Sequence, residues 1–398
     1  MTDTKNTPPF IAEYSTHPDF NAMSDVTFRS LVKNFVEKNY PDIPRFVQHR
    51  LSWLEVRPWY GILARAGWIA PTWPQKLGGM GLNAGKQLIL IEEFERFGCG
   101  RVHDIGTAML GPMLMQYGTK EQQDYYLPRI LHGEDIWAQG YSEPDAGSDL
   151  ASLRTEAIIE GDEWVINGQK TWATLGADAN MIFILARTDK SVKKQAGISF
   201  LLVPMDCKGI TVRPIENIEG HSELCEVFFD NVRIPLDHIV GDANNGWTMA
   251  KALLGHERVF IGAPRLSANA LTRLENLARD NGLWPDPVFR DRFASLAMDL
   301  EDLTDLFETY LERLKNGEPI GAEVGVLKIF QSELYQRISE ELMQISGSLA
   351  GIKKGDDNDL KHDASGTYLA ARPTTIFGGS TEVMRNVLAR VSLELPKQ

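Results

Sequence analysis

Gln139-Gly140-Tyr141-Ser142-Glu143-Pro144-Asp145-Ala146-Gly147-Ser148-Asp149 stands where the texture of the chain changes. Upstream, from Val26 to about Leu131, apolar residues recur at helical spacing around 28–39, 59–68, 87–97 and 105–117, with Gly and Pro between the segments. Thr119-Lys120-Glu121-Gln122 has the T-x-x-Q form of a capping box, which predicts one more helix start. Downstream, to about Gly241, short runs rich in β-branched and aromatic residues follow at close intervals: Trp164-Val165-Ile166, then 181–185, 198–203, 210–212 and 227–229. Asn167-Gly168 between two such runs predicts a hairpin turn, so the middle third reads as an antiparallel barrel or sandwich. After Asn244-Asn245-Gly246 the helical period returns. Leu296, Leu300, Leu303, Phe307, Tyr310 and Leu314 form one apolar stripe, while Asp299, Glu301, Asp302, Asp305 and Glu308 fall on other faces and read as a solvated surface. The order α, then β, then α predicts an α+β chain with domains at 1–135, 136–242 and 243–398.

The 398 residues, 43% of them hydrophobic, suffice for two to three domains with a large core. Lys and Arg number 41 against 54 Asp and Glu, a net charge of −13. That excess repels nucleic acid, and no basic run offsets it. Cys99, Cys207 and Cys225 lie far apart without metal-ligand spacing, which argues against a zinc site or a disulfide framework. The first ten residues, MTDTKNTPPF, have neither a basic nor an apolar targeting segment, and no apolar stretch approaches the ~20 residues of a membrane span. A cytoplasmic location is the expectation.

Four constellations carry candidate chemistry. The stretch 139–149 mixes hydroxyls, acids and two glycines, which suits close approach to a phosphate or carbonyl and equally a polar connection. Lys170-Thr171-Trp172-Ala173-Thr174 places an indole and a hydroxyl on one face of a strand, as a seat for an aromatic ring system or as ordinary core. In 375–386, Gly378-Gly379 directly precedes the helix start Ser380-Thr381-Glu382, which fits either a pyrophosphate or a plain N-cap. Gly255-His256-Glu257-Arg258 lies mid-helix, where a carboxylate beside an Arg is most often a surface pair. No HExxH, Walker loop, GxGxxG or G-x-S-x-G motif is present.

Order and spacing together resemble the acyl-CoA dehydrogenase family of flavoproteins over nearly the whole chain: LGGMGL, YSEPDAGSD, KTWATLG, FDNVRIP with IVG, and IFGGSTEVMRNVLAR. The resemblance implies an N-terminal helical domain, a central β domain and a C-terminal four-helix bundle that binds FAD at a subunit interface. It implies that Gln139, Tyr141, Ser142, Ser148, Trp172 and Thr174 contact the flavin ring and its phosphate side, with Gln344, Gly347, Ser380 and Glu382 as further cofactor contacts. Ser148, Arg258, Gly378 and Arg390 match substrate-side positions.

Many members carry their acid–base Glu where Gly378 stands here. Others carry it on the first long helix of the C-terminal domain just before an Arg, which Glu257-Arg258 matches. Glu257 is therefore the expected base for removing the C2 proton of an acyl-CoA, while the C3 hydrogen leaves as hydride to flavin N5 and the product is the trans-2-enoyl-CoA. An electron-transfer flavoprotein is the implied acceptor. The R-x-x-F-G segment typical of homotetrameric members is missing from 283–291, and Ser348 replaces the second Gly of the Q-x-x-G-G turn. The pattern most resembles the bacterial pimeloyl-CoA dehydrogenase large-subunit branch, so a heteromer with a second acyl-CoA dehydrogenase-like chain stands beside a homo-oligomer. A non-catalytic partner subunit and a flavin oxidase or monooxygenase are the competing readings.

Overall fold

The computed structural model describes residues 18–47, 49–316, 318, 320–351 and 363–396; the side chains of 254–261 and 315 lie outside the described residues. The N-terminal layer is helical: α1 (Asp25–Asn39), α2 (Trp53–Arg65), α3 (Ala84–Phe97), α4 (Gly111–Tyr117, entered through a π-helical turn at Ile105–Leu110) and α5 (Lys120–His132). Local polar chemistry sets these starts. The Oγ of Ser24 accepts from Thr27 N at 3.2 Å, and Asn83 caps α3 through Lys86 N at 2.9 Å. The predicted box opens α5: Gln122 N donates to Thr119 Oγ1 and Thr119 N to Gln122 Oε1, each at 3.2 Å.

Eight strands follow: β1 (Trp137–Gly140), β2 (Glu156–Glu160), β3 (Glu163–Thr174), β4 (Met181–Arg187), β5 (Ile198–Pro204), β6 (Ile210–Ile215), β7 (Leu224–Pro235) and β8 (Ile239–Val240), ordered β6-β7-β3-β2-β4-β5-β8 with β1 paired to β4. Pairing is antiparallel except at β1–β4 and at one β2–β4 register point, Glu156 with Arg187. Every residue of β4 is buried because both of its faces are covered. Met181, Phe183 and Leu185 pack with the N-terminal helices, while Ile182, Ile184 and Ala186 join Trp164, Ile166, Val227 and Val232 of β3 and β7. The sheet is thus a two-layered sandwich, one of whose outer faces carries the first helical layer.

One expected turn is corrected. Asn167-Gly168 is not a hairpin; β3 runs straight through it, with a register shift between Ile166 and Gly168. Gly168 has φ 147°, and a Cβ there would come within 2.6 Å of Thr155 Cα. The pair forms a β-bulge, pinned by Asn231 N donating to Asn167 Oδ1 at 2.8 Å. The reversal lies earlier, at Gly161-Asp162, between paired Glu160 and Glu163.

The C-terminal layer comprises α6 (Gly246–Ile261), α7 (Arg265–Asp280), α8 (Pro287–Lys315), α9 (Gly325–Ser346), α10 (Ala364–Ala371) and α11 (Thr381–Val387). The stripe on α8 is the core side, with Leu303 and Phe307 almost inaccessible, and Glu301, Asp302, Asp305 and Glu308 face solvent. Helix α9 is the common neighbour of α6, α7, α8, α10 and α11. A half-buried ion pair, Glu95 with Arg265, ties α3 to the start of α7.

Helix α6 is held against backbone at both ends. A Cβ at Gly246 would lie 2.6 Å from the Ser199 carbonyl carbon on β5, and one at Gly262, just past the helix, 2.5 Å from Leu327 Cβ and 3.1 Å from Lys328 N on α9. Asn244 N donates to Ser199 Oγ at 2.8 Å, which sets the entry angle. Gly262→Ala is expected to cost about 1–3 kcal/mol through overpacking, read as a lower urea midpoint with an unchanged m-value.

Candidate active site

The stretch 141–149 leaves β1 and is anchored by one buried carboxylate. Glu143 accepts from Lys170 Nζ at 2.8 Å, Arg154 N at 2.6 Å and Thr155 N at 2.9 Å. Its own backbone exchanges hydrogen bonds with Ala146 at 3.1 and 3.0 Å, closing a tight turn. Lys170 is wholly buried and also donates to Tyr141 O at 3.2 Å. Burial pushes the Lys170 ammonium down to about 8, against the opposing pull of Glu143. For Glu143 burial acts upward, yet the charge and hydrogen bond of Lys170 with the backbone donors outweigh it and hold the carboxyl below its ordinary value.

This anchor brings the first two motifs together, since Thr171 N donates to Ser142 O at 2.9 Å beside the Lys170 contact. The strand bulges between Lys170 and Ala173, and Trp172 sits at φ 61°. Thr171, Ala173 and Leu175 are buried; Trp172 is 58% exposed and Thr174 half-buried, so the two share the outward side as the period of two predicts. Trp172 is therefore no core tryptophan of this chain. Tyr141 is buried, Gln139 and Ser142 are half-buried, and Ser148 is exposed. A side chain at Gly147 would meet nothing within 4 Å, so backbone is open to approach. A free indole face with hydroxyls and open backbone beside it suits a planar ring system carrying polar edges and a phosphate tail.

The second half of the site lies on α9 and α11. Gly378 and Gly379 form the turn before α11 with φ 65° and 95°, a region that favours glycine. Ser380 is the N-cap, its Oγ accepting from Val383 N at 3.3 Å. Exposed Glu382 in the first turn is held below its ordinary value by its own backbone N–H and the Ser380 hydroxyl. From α9, buried Lys328 donates to Gly379 O at 2.7 Å; burial pushes it down to about 8 while Glu382 and Glu333 pull the other way. Arg390 is exposed in the π-helical turn Leu388–Ser392.

Two expected groups stand apart. Gln344 is exposed at the far end of α9, and Gly347, at φ 54°, ends that helix. Gln344 lies roughly 24 Å beyond Lys328 at about 1.5 Å per residue. It lines a shallow groove with Arg292, Arg337 and Glu341, remote from the Gly378-Gly379 turn. Glu257 and Arg258 belong to α6, but their side chains lie outside the described residues. Sequence reasoning passed over Glu143, Lys170 and Lys328 as anchors. The first two sit inside the quoted motifs as an acid and a base, though their pairing is not readable from the chain; Lys328 carried no signal, being one lysine in a long helix.

Family models match the N-terminal domain of acyl-CoA dehydrogenases over residues 24–134, the middle domain over 138–232 and the C-terminal domain over 244–393. The chain belongs to the acyl-CoA dehydrogenase family; it is an oxidoreductase of lipid metabolism with FAD as its cofactor. Acyl-CoA dehydrogenase IpdE1 of Mycobacterium tuberculosis is 37% identical over 347 residues, 86% of this chain and 89% of that protein. Among solved structures, the Tcur3481-Tcur3483 steroid ACAD aligns with TM-score 0.83 at 30% identity, covering 96% of this chain and 99% of its own. The ChsE4-ChsE5 complex from Mycobacterium tuberculosis gives 0.81 at 28% identity, covering 96% and 99%. Among the described residues no helix is long and apolar enough to cross a membrane, and no group of three or more His, Cys, Asp or Glu could hold a metal ion.

Removing one member of a buried ion pair strands the other. Glu143→Ala is expected to lower stability by about 3–5 kcal/mol, measured by urea unfolding of the holoenzyme, with FAD retention falling alongside. Because the Glu143 carboxyl is held below 4.5, its contribution is full above that pH and is lost as acid takes the pH down through the folded value.

Proposed function

We propose that this chain dehydrogenates an acyl-CoA thioester across C2–C3, with Glu257 taking the C2 proton. When bound, FAD accepts the C3 hydrogen as hydride. The observation that carries the reading is the placement of α6, pressed on β5 at Gly246 and on α9 at Gly262. The helix bearing Glu257 thereby bridges the sheet that carries Trp172 and Thr174 and the helix whose Lys328 grips the Gly378-Gly379 turn. Gly378 has no side chain to act as base, and its left-handed backbone suits glycine there. A base on α6 is the alternative that the motif supports.

In this reading Gln139, Tyr141, Ser142, Ser148, Trp172, Thr174, Ser380 and Glu382 hold the cofactor of their own chain. Gln344 and Gly347, remote along α9, serve a neighbouring chain's cofactor. Ser148, Arg258 and Arg390 face the CoA, and the Gly378 N–H donates to the thioester oxygen as negative charge develops there. The domain divisions at 135/136 and 242/243 belong to the same reading, supported by β1 starting at Trp137 and α6 at Gly246. Electrons pass on to an electron-transfer flavoprotein.

Glu257→Gln is expected to keep the flavin absorbance and lose at least about 10³-fold in the rate of anaerobic bleaching by an acyl-CoA that bleaches the wild type. A rate within threefold of wild type overturns Glu257 as base. The panel spans butyryl-, octanoyl-, pimeloyl- and steroid side-chain-derived CoA thioesters, the last because a steroid ACAD is 30% identical. A heteromer with a second acyl-CoA dehydrogenase-like chain is supported by the ChsE4-ChsE5 complex among the neighbours. It predicts incomplete FAD loading of the chain purified alone, even after FAD is added back. A homotetramer with one FAD per protomer overturns that assembly.

A further inference from the structure

Lys328 is wholly buried on α9, where a leucine would avoid the cost of desolvating an ammonium. Its Nζ reaches Gly379 O at 2.7 Å. In a trans peptide the N–H points opposite to the C=O, so this contact turns the Ser380 N–H away from the lysine. Among the described residues, the N–H groups of Gly378, Gly379 and Ser380 find no acceptor, and the Ser380 hydroxyl is occupied by the α11 cap. Three successive donors with no partner among the described residues are a surface for developing negative charge. The same residue meets α6, because Lys328 N is one of the backbone atoms against which Gly262 closes.

We infer that Lys328 is a positioning residue for the reaction: through the Gly379 carbonyl its ammonium fixes the Gly378-Gly379-Ser380 donor arc that receives the substrate's thioester oxygen and polarises the Ser380 N–H within it. The inference rests on the proposed role of Gly378 as a substrate contact. A peptide whose carbonyl accepts from a cation donates more strongly through its N–H, so the effect grows as charge builds on the thioester oxygen. Glu382 and Glu333 face the lysine and favour its charged form.

The test uses the holoenzyme and whichever thioester of the panel bleaches the wild type, carrying a ¹³C-labelled thioester carbonyl. Lys328→Met is expected to retain FAD, to bleach about 10- to 100-fold more slowly with KM within about threefold, and to lose at least about half of the downward shift of the bound carbonyl stretch in difference infrared spectra. Lys328→Arg, which keeps a charged donor, is expected to recover part of both. A Lys328→Met holoenzyme that bleaches within threefold of wild type with an unchanged carbonyl stretch overturns the inference. A merely structural role would lower stability without moving the carbonyl stretch. Should neither variant fold, hydrogen exchange on the wild type decides: protection of the 378–380 amides on acyl-CoA binding supports the donor arc, and its absence overturns it. If no thioester bleaches the wild type, the dehydrogenation reading fails and this one with it; if only Glu257→Gln remains active, the base is elsewhere and the Lys328 result stands by its own readout.

Discussion

Helix α6 touches backbone at both ends, and this packing constraint organises the molecule. Helices ordinarily stand 8–10 Å apart, with side chains filling the gap. Here Gly246 and Gly262 remove the side chain where α6 meets β5 and α9, so the helix is gripped by main chain rather than by rotatable groups. Main-chain contacts have little freedom to relax. The middle sheet and the C-terminal bundle are thereby tied to each other through the helix whose range includes Glu257.

On either side of that helix, a buried lysine holds a loop. Lys170 pairs with Glu143 and with the Tyr141 carbonyl, shaping the 141–149 turn; Lys328 takes the Gly379 carbonyl, shaping the turn before α11. Loops that receive a ligand must expose backbone donors, and loops with exposed donors are poorly ordered unless tied from behind. An ammonium is suited to the task because it has three donors and a charge that a carbonyl cannot find in an apolar core. The two ties differ in kind. Lys170 is compensated by a carboxylate in direct contact, whereas Lys328 is compensated by the field of Glu382 and Glu333 and by one carbonyl.

Much of the fold was legible along the chain. The capping box at Thr119 and Gln122, the apolar stripe on α8 and the solvated acids beside it depend on neighbours three and four residues apart, and local spacing carries that information. Asn167-Gly168 was misplaced as a hairpin because the same dipeptide serves a turn or a bulge, and the choice belongs to Thr155, just before β2, and Asn231 on β7. Likewise, Trp172 could be read as core or as a seat for a ring; its exposure follows from a bulge that only strand pairing shows.

What the sequence determined by itself is the order of layers, the family and the residue types assembled for chemistry, since these rest on periodicity and on motifs that are contiguous in the chain. Tertiary structure decided which motifs meet. It joined 139–149 to 170–174 through Glu143 and Lys170, joined α9 to the Gly378-Gly379 turn through Lys328, and set Gln344 far along the same helix. The reason is physical: burial and main-chain contact depend on residues distant in sequence, and whether a lysine is a solvated charge or a buried tie is settled only when its surroundings have closed over it.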